Sequence, residues 1–394
     1  MMKKTIASLA SAALVLSNVV VVAAADNATV VTNTGSNATV NSSANNTTVV
    51  GVTNVNTATV VQTDVTNNNT GNNVESGNIS LCCSTGTGIV TGNAGSVSNM
   101  STDVNSNSTA VVLPSNGGSN NYADVANTGT NFTGNLSANS TTVVGVTNSN
   151  NLNVAQTNVS NNNTGNNVSE SNIGNNGILT GDALSVSNMN VEGNQNQTQV
   201  LGLAGTPCNT CTGNNNLVTN TGSNFTLNSS TNQTDVLTVF NQNNMFVAQT
   251  VLAANNTGNN TSASNIGTGV IGTGNAASVA NFDVQGNSNV TGVGLNLPMG
   301  SNLADVLNTG ATATLNLSAN NTTVATALNA NNYFGAQTTF ASNTSGMNAS
   351  NSNVGGFGTF TGHAGAGTNY MAGGNHNSTY MGGALGLLAW LAWL

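Results

Sequence analysis

One pattern of residues repeats four times along the chain, and it limits the available folds more than any other feature. Asn-Thr-Gly occurs at Asn33, Asn127, Asn220 and Asn308, at spacings of 94, 93 and 88 residues. Thr47–Asn54 reads Thr-Thr-Val-Val-Gly-Val-Thr-Asn. It returns unchanged at Thr141–Asn148 and loosely at Thr234–Asn241 and Thr322–Asn329. A third marker is Asn69-Thr70-Gly71, repeated at Asn163, at Asn256 and, altered, at Thr344-Ser345-Gly346. A fourth is Thr91-Gly92-Asn93-Ala94, matched at Thr180–Ala183, Thr273–Ala276 and Thr361–Ala364. Ordered markers at a fixed period signify tandem units. The expected division is a signal peptide at 1–25, repeats at 26–117, 118–212, 213–300 and 301–380, and a hydrophobic segment at 381–394. The last repeat is divergent and rich in Gly and aromatic residues.

Each copy alternates Val/Thr/Ala stretches with clusters of Asn, Gly and Ser. Ala311–Leu317 has clean period-two alternation, and β-branched residues suit a pleated surface. Pro114, Pro207 and Pro298, the three prolines, all fall at junctions between copies, where a residue without an N–H interrupts no ladder. The pattern predicts an all-β chain. Two architectures fit: a tandem-repeat β-solenoid, or a string of tandem β-sandwich domains. A sandwich core is usually filled by large side chains, but no Phe, Tyr or Trp occurs between Asp26 and Asn121. Asn makes up roughly a fifth of the chain, and Asn side chains stacked in ladders at the corners of a solenoid would account for that excess. The expectation is therefore a solenoid. With about four to five rungs per copy at about 4.8 Å each, the rod would be on the order of 80–95 Å long. One aligned site holds Ala38, Phe132, Phe225 and Ala313, an exchange that neighbouring rungs can compensate.

Charge excludes several functions. The chain has 2 basic residues, Lys3 and Lys4, against 11 acids. Both lysines lie in the presumed leader, which ends in Ala23-Ala24-Ala25 after an apolar run and would leave Asp26 as the mature N-terminus. A mature chain without Lys or Arg cannot displace counterions from nucleic-acid phosphate. Phosphate clamps and Schiff-base chemistry are excluded with it. At the other end, Gly383–Leu394 is apolar and carries Trp390 and Trp393, but it is shorter than the roughly 20 residues that span a bilayer. Three readings stand: an interfacial membrane or envelope anchor, a cap on the fold, or a partner-docking segment.

Few side chains offer chemistry. Cys82 and Cys83 lie in an insertion, since Asn78 to Thr91 spans 13 positions and Asn172 to Thr180 only 8. Cys208 and Cys211 form a Cys-x-x-Cys at the next junction. In an exported chain these four are disulfide candidates rather than zinc ligands, because adjacent cysteines rarely bind one tetrahedral ion. The acids are scattered without a tight pair. Asp124 and Asp305 recur in Ala-Asp-Val segments and point to a cap or turn role. His363 and His376 have no carboxylate or cysteine nearby in sequence. No catalytic, cofactor-binding or metal-ligating residue is expected. Asn-x-Ser/Thr sequons, as at Asn78, Asn135 and Asn158, are numerous and would accept glycans in a host that has the machinery.

The signature Asn69–Asn73, followed by Thr91–Ala94 and a Val/Ser/Asn stretch, resembles the Asn/Thr/Gly-rich repetitive cell-surface proteins of prokaryotes, of β-solenoid type. The likeness spans nearly the whole chain after the leader. Val154-Ala155-Gln156-Thr157 and Val247-Ala248-Gln249-Thr250 are more faintly similar to curlin-type repeats. The resemblance implies export and a structural or adhesive role, as a fibre, matrix or adhesin component outside the cell. Expected partners are other copies of the chain, or a surface polysaccharide or protein. An ice-binding solenoid with a Thr-rich face is the alternative. A polysaccharide-active enzyme, which would need clustered acids, ranks last.

Overall fold

The computed structural model of the chain describes residues 15–21, 27–33, 37, 39–80, 87–113, 121–127, 130–202, 214–220, 223–295, 303–308 and 312–382. Every regular element among them is a β-strand. The first copy supplies β2 (Asn27–Asn33), β3 (Thr39–Asn69), β4 (Val74–Ser76), β5 (Thr87–Val90) and β6 (Ala94–Leu113). The second supplies β7 (Asn121–Asn127), β8 (Phe132–Asn163), β9 (Val168–Glu170), β10 (Asn176–Leu179) and β11 (Ala183–Gly202). The third supplies β12 (Asn214–Asn220), β13 (Phe225–Asn256), β14 (Thr261–Ala263), β15 (Gly269–Gly272) and β16 (Ala276–Leu295). The fourth supplies β17 (Leu303–Asn308), β18 (Ala313–Thr344), β19 (Ala349–Asn351), β20 (Phe357–Phe360) and β21 (Ala364–Gly382).

Each strand pairs with its counterpart in the next copy, in parallel. β3 meets β8 from Thr39↔Thr133 to Asn69↔Asn163. β8 meets β13 up to Asn163↔Asn256, and β13 meets β18 up to Asn256↔Thr344. The other four sheets are ordered in the same way, with one strand from each copy and, in one of them, an additional edge strand from residues 15–21. Among the described residues no strand pairs with another strand of its own copy. The spacing of the sequence markers is therefore the hydrogen-bonding offset of the sheets. This overturns the separate β-sandwich domains, since every sheet runs through all four copies. It also corrects the rung count, because each copy forms one layer rather than four or five. At about 4.8 Å per layer the stack is about 19 Å deep, and a strand of 32 residues such as β8 extends up to about 105 Å. The chain builds a broad, shallow stack instead of a long rod.

Each layer folds back on itself. β3 runs out, β4 and β5 line the turn, and β6 returns opposite the second half of β3. Side chains of β3 and β6 meet between the two sheets, where Val52, Val111, Val144, Val200, Val239 and Val293 form one apolar cluster. A second cluster gathers Val104, Leu152, Val154, Val191, Met245 and Val247. At the other end β7 and β12 fold over the starts of β8 and β13, around Val125, Leu136, Val218 and Leu227. Phe132 and Phe225 occupy one column there and stack with ring centroids 5.5 Å apart and planes 6° apart. Elsewhere the core is filled mainly by Val, Leu, Ile and Met, with Phe282 beside Met100 and Met189. Along β8 and β13 burial alternates residue by residue, as period-two patterning requires.

β1 (Val15–Val21) lies within the expected leader. It pairs in parallel with Ser106–Val112 of β6, on the edge away from the second copy.

Candidate functional site

The most developed feature of the structure is a set of amide columns running through the layers. Asn54 donates to Asn148 (2.7 Å), Asn148 to Asn241 (2.8 Å) and Asn241 to Asn329 (2.9 Å). A glutamine column runs with the opposite polarity: Gln156 donates to Gln62 (2.7 Å), Gln249 to Gln156 (2.8 Å) and Gln337 to Gln249 (3.3 Å). These columns lie between the sheets as well as at the turns. Asn148, Asn150, Gln156, Asn196, Asn241 and Gln249 are fully or almost fully buried. The expected placement of the ladders at corners is thus incomplete. An amide has both donors and an acceptor, so identical amides one layer apart bond to one another and satisfy groups that would be costly to bury alone. Cross-bonds bind the facing sheets together, as from Asn107 to Asn150 (2.8 Å) and Asn150 to Asn196 (2.9 Å).

The two sequence signatures form a clasp at the turn. Thr70 donates its hydroxyl to Gly92 O (2.9 Å), Thr164 to Gly181 O (2.9 Å), Thr257 to Gly274 O (2.8 Å) and Ser345 to Gly362 O (2.7 Å). Each bond joins the Asn-Thr-Gly marker to the Thr-Gly-Asn marker of its own copy. The threonine of the second marker then reaches the next layer, Thr91 to Thr164 O (3.2 Å) and Thr180 to Thr257 O (3.0 Å). Asn72, Asn166 and Asn259 carry positive φ near 60°, which Asn tolerates better than most residues. Gly165 is required by proximity, since a Cβ there would lie 2.0 Å from Gly258 O.

Beyond the columns there is little chemistry. Among the described residues no three His, Cys, Asp or Glu side chains gather closely enough to hold a metal ion. Register brings Asp103 and Glu192 to neighbouring positions on β6 and β11, a juxtaposition hidden in the sequence by the 89-residue offset. A groove of about 500 Å³ lies nearby, lined by Met100, Met189, Phe282, Tyr370 and Asn99, with Asp283 as its one carboxylate. Asp124 and Asp305 lie inside β7 and β17, both paired with Leu217, so the cap or turn role is corrected to an in-strand position. His363 and His376 are exposed, and what the structure uses is their backbone: His363 N donates to Asn275 and His376 O accepts from Asn331. The carboxyl of Asp235 is pushed above its ordinary value. Burial is the main cause, opposed by hydrogen bonds from Gln233 and Thr142.

Cys82, Cys83, Cys208, Cys211, Trp390 and Trp393 lie outside the described residues, as do all three prolines. On the outer face of the β3–β8–β13–β18 sheet three columns are Thr in every layer: Thr39, Thr133, Thr226 and Thr314; Thr47, Thr141, Thr234 and Thr322; and Thr63, Thr157, Thr250 and Thr338. The Thr53–Thr147 column continues as Phe240 and Leu328, and Thr59 leads to Asn153, Phe246 and Phe334. Phe246 and Phe334 stack on that face with centroids 5.1 Å apart. No family of known proteins, no curated protein and no solved structure matches this chain.

Proposed function

We propose that the chain is an exported or surface-attached structural repeat protein, a non-catalytic component of a fibre, matrix or adhesive layer. Its fold is a β-solenoid in which one copy makes one turn. The observation that carries this reading is the continuity of the amide columns through all four copies. Most of the buried Asn and Gln side chains bond to a counterpart in the adjacent layer. The described surface offers no charged cleft and no cluster of perturbed acids of the kind that active sites assemble. The leader-like start supports export, and the near-absence of basic residues supports persistence among extracellular proteases. Ice binding draws less support, because the three all-Thr columns of the outer face, at Thr39, Thr47 and Thr63, are separated by columns of Asn, Ser, Val, Ala and Phe and do not form one continuous flat Thr array.

Expression of the full chain in a secreting bacterial host tests the reading. The expected product lies outside the cell, begins at Asp26 by mass spectrometry, and remains a single band after prolonged trypsin treatment. Retention in the cytoplasm with Lys3 and Lys4 still attached would refute it.

A further inference from the structure

The geometry points to head-to-tail stacking of a second copy of this chain, the fourth layer of one molecule seating on the first layer of the next. The inference rests on the structural role proposed above and names the partner for it. β18 and β3 are the two edge strands of one four-stranded sheet, and three further sheets also end in the fourth and first copies, while the fifth ends in β21 and in β1. Open parallel edges of this length are templates for further pairing. What selects this chain as the occupant is chemical identity along the columns. Asn255 donates to Asn343 at 2.8 Å inside the molecule, and Asn343 can donate to Asn68 of the next molecule in the same way. The glutamine column runs the opposite way, so Gln62 of the next molecule donates to Gln337 as Gln337 itself donates to Gln249. Asn348 and Asn73 end a third column that has the same residue at both faces. The interface is heterologous and does not close on itself, so it propagates into a filament.

Two glycines supply an independent argument. Within the stack a Cβ at Gly71, Gly165 or Gly258 would lie within 2.0 Å of the carbonyl oxygen one layer on. Gly346, the last of that column, has nothing within 4 Å of its absent Cβ. In the column of Gly181, Gly274 and Gly362 the close contact points the other way, and Gly92, at the first-layer end, is the one with open space. Each end of the molecule thus keeps a glycine whose missing side chain matters only when another copy is seated there.

The first-layer face also already accepts a strand from outside the four copies. β1 places Val15 opposite Ser106 on the edge of β6 away from Gln195, at the end of the column Ser106, Gln195, Ser288 and His376, which is the position the His376 of a preceding molecule would take. Residues 15–21 and the end of a preceding molecule's β21 therefore compete for one position, and removal of the leader clears it.

The test uses the purified full chain and, beside it, the chain beginning at Asp26, each incubated at tens of micromolar and examined by electron microscopy, sedimentation and fibre diffraction. The expected result is filaments, more abundant from the Asp26 form, with a 4.8 Å repeat along the axis and one molecule per about 19 Å. Gly346→Val should keep the circular dichroism and melting temperature of the parent while cutting sedimentable mass at least tenfold. Gly258→Val, a comparison inside the stack, should lose the fold. Single four-layer particles from both wild-type forms, closed head-to-head pairs, or filaments from Gly346→Val equal to those of wild type would each overturn the inference. Folded particles that never assemble would remove this inference alone, whereas a wild-type chain lacking the layered fold would remove the proposed function too.

Discussion

Gln156 illustrates the work that single residues do here. Its Nε2 donates to Gln62 and its Oε1 accepts from Gln249, in a position closed to water. Gln156→Leu keeps most of the volume but strips one bond from each neighbour, leaving Gln62 Oε1 with Thr102 (3.3 Å) and Gln249 Nε2 with Met189 O (3.4 Å), and each under-satisfied buried group costs about 1–3 kcal/mol. A loss of about 2–4 kcal/mol in unfolding free energy is expected on that basis. Asn188 donates to Asn99 in an exposed column, and Asn188→Ala should cost less than about 0.5 kcal/mol. Chemical denaturation of the two variants checks the contrast, and equal losses would contradict it. Asp235 is the opposite case, a buried carboxyl in a column whose other members include Thr142 and Thr323. Burial raises its pKa above the ordinary carboxylate value. Below that value both folded and unfolded chains hold the proton, and stability is complete. As pH rises through the folded pKa the unfolded chain releases its proton first, so stability falls. Asp235→Thr should therefore raise the melting temperature at pH 7 and change it much less at pH 3. A gain of equal size at both pH values would rule out this titration as the cause.

At the scale of elements, the strands pass both cysteine-bearing loops in register. Ser80 N donates to Ile173 O before the first loop, and Thr87 pairs with Asn176 after it. Gly202 pairs with Leu113 before the second, and Asn214 with Asn121 after it. The ladders are complete on either side, so replacing Cys82, Cys83, Cys208 and Cys211 together by Ser should leave the melting temperature within a few degrees of wild type. A collapse of the fold, read by circular dichroism, would show that the loops carry structural weight. These elements also show how much of the fold is legible in the sequence. The marker spacings are the register of the sheets, and period-two alternation identifies strands. The number of turns per copy is hidden, because Asn clusters normally signal turns. Asn67-Asn68-Asn69 and Asn161-Asn162-Asn163 instead continue extended strands, their amides paired with identical ones a layer away. A residue that breaks an isolated strand extends a stacked one. The Asp103–Glu192 juxtaposition is hidden for the same reason, since it exists only once each copy is known to make a single layer.

For the whole molecule, the decisive fact is that a copy has no ladder of its own. β3 and β6 of the first copy meet through side chains, and their backbone ladders are formed with strands about 90 residues away. One copy in isolation would bury few apolar side chains and leave its strand edges bare, while losing about 1–2 kcal/mol of backbone entropy for each residue it ordered. A fragment spanning residues 26–117 is therefore expected to be unfolded, with a coil circular dichroism spectrum and narrow amide proton dispersion. In a tandem sandwich the same fragment would melt cooperatively, so a folded fragment would refute one layer per copy. The same topology slows folding, because no local contact repays the chain before a distant strand arrives. Refolding of the full chain from denaturant should take seconds or longer, with a lag that shortens when folded molecules are added. A preformed layer supplies what the nascent first layer lacks, a register-matched edge, and stopped-flow fluorescence of Trp390 and Trp393 with and without such seeds measures the difference. Submillisecond, seed-independent refolding would mean that each copy forms its own nucleus and that the layers dock only afterwards.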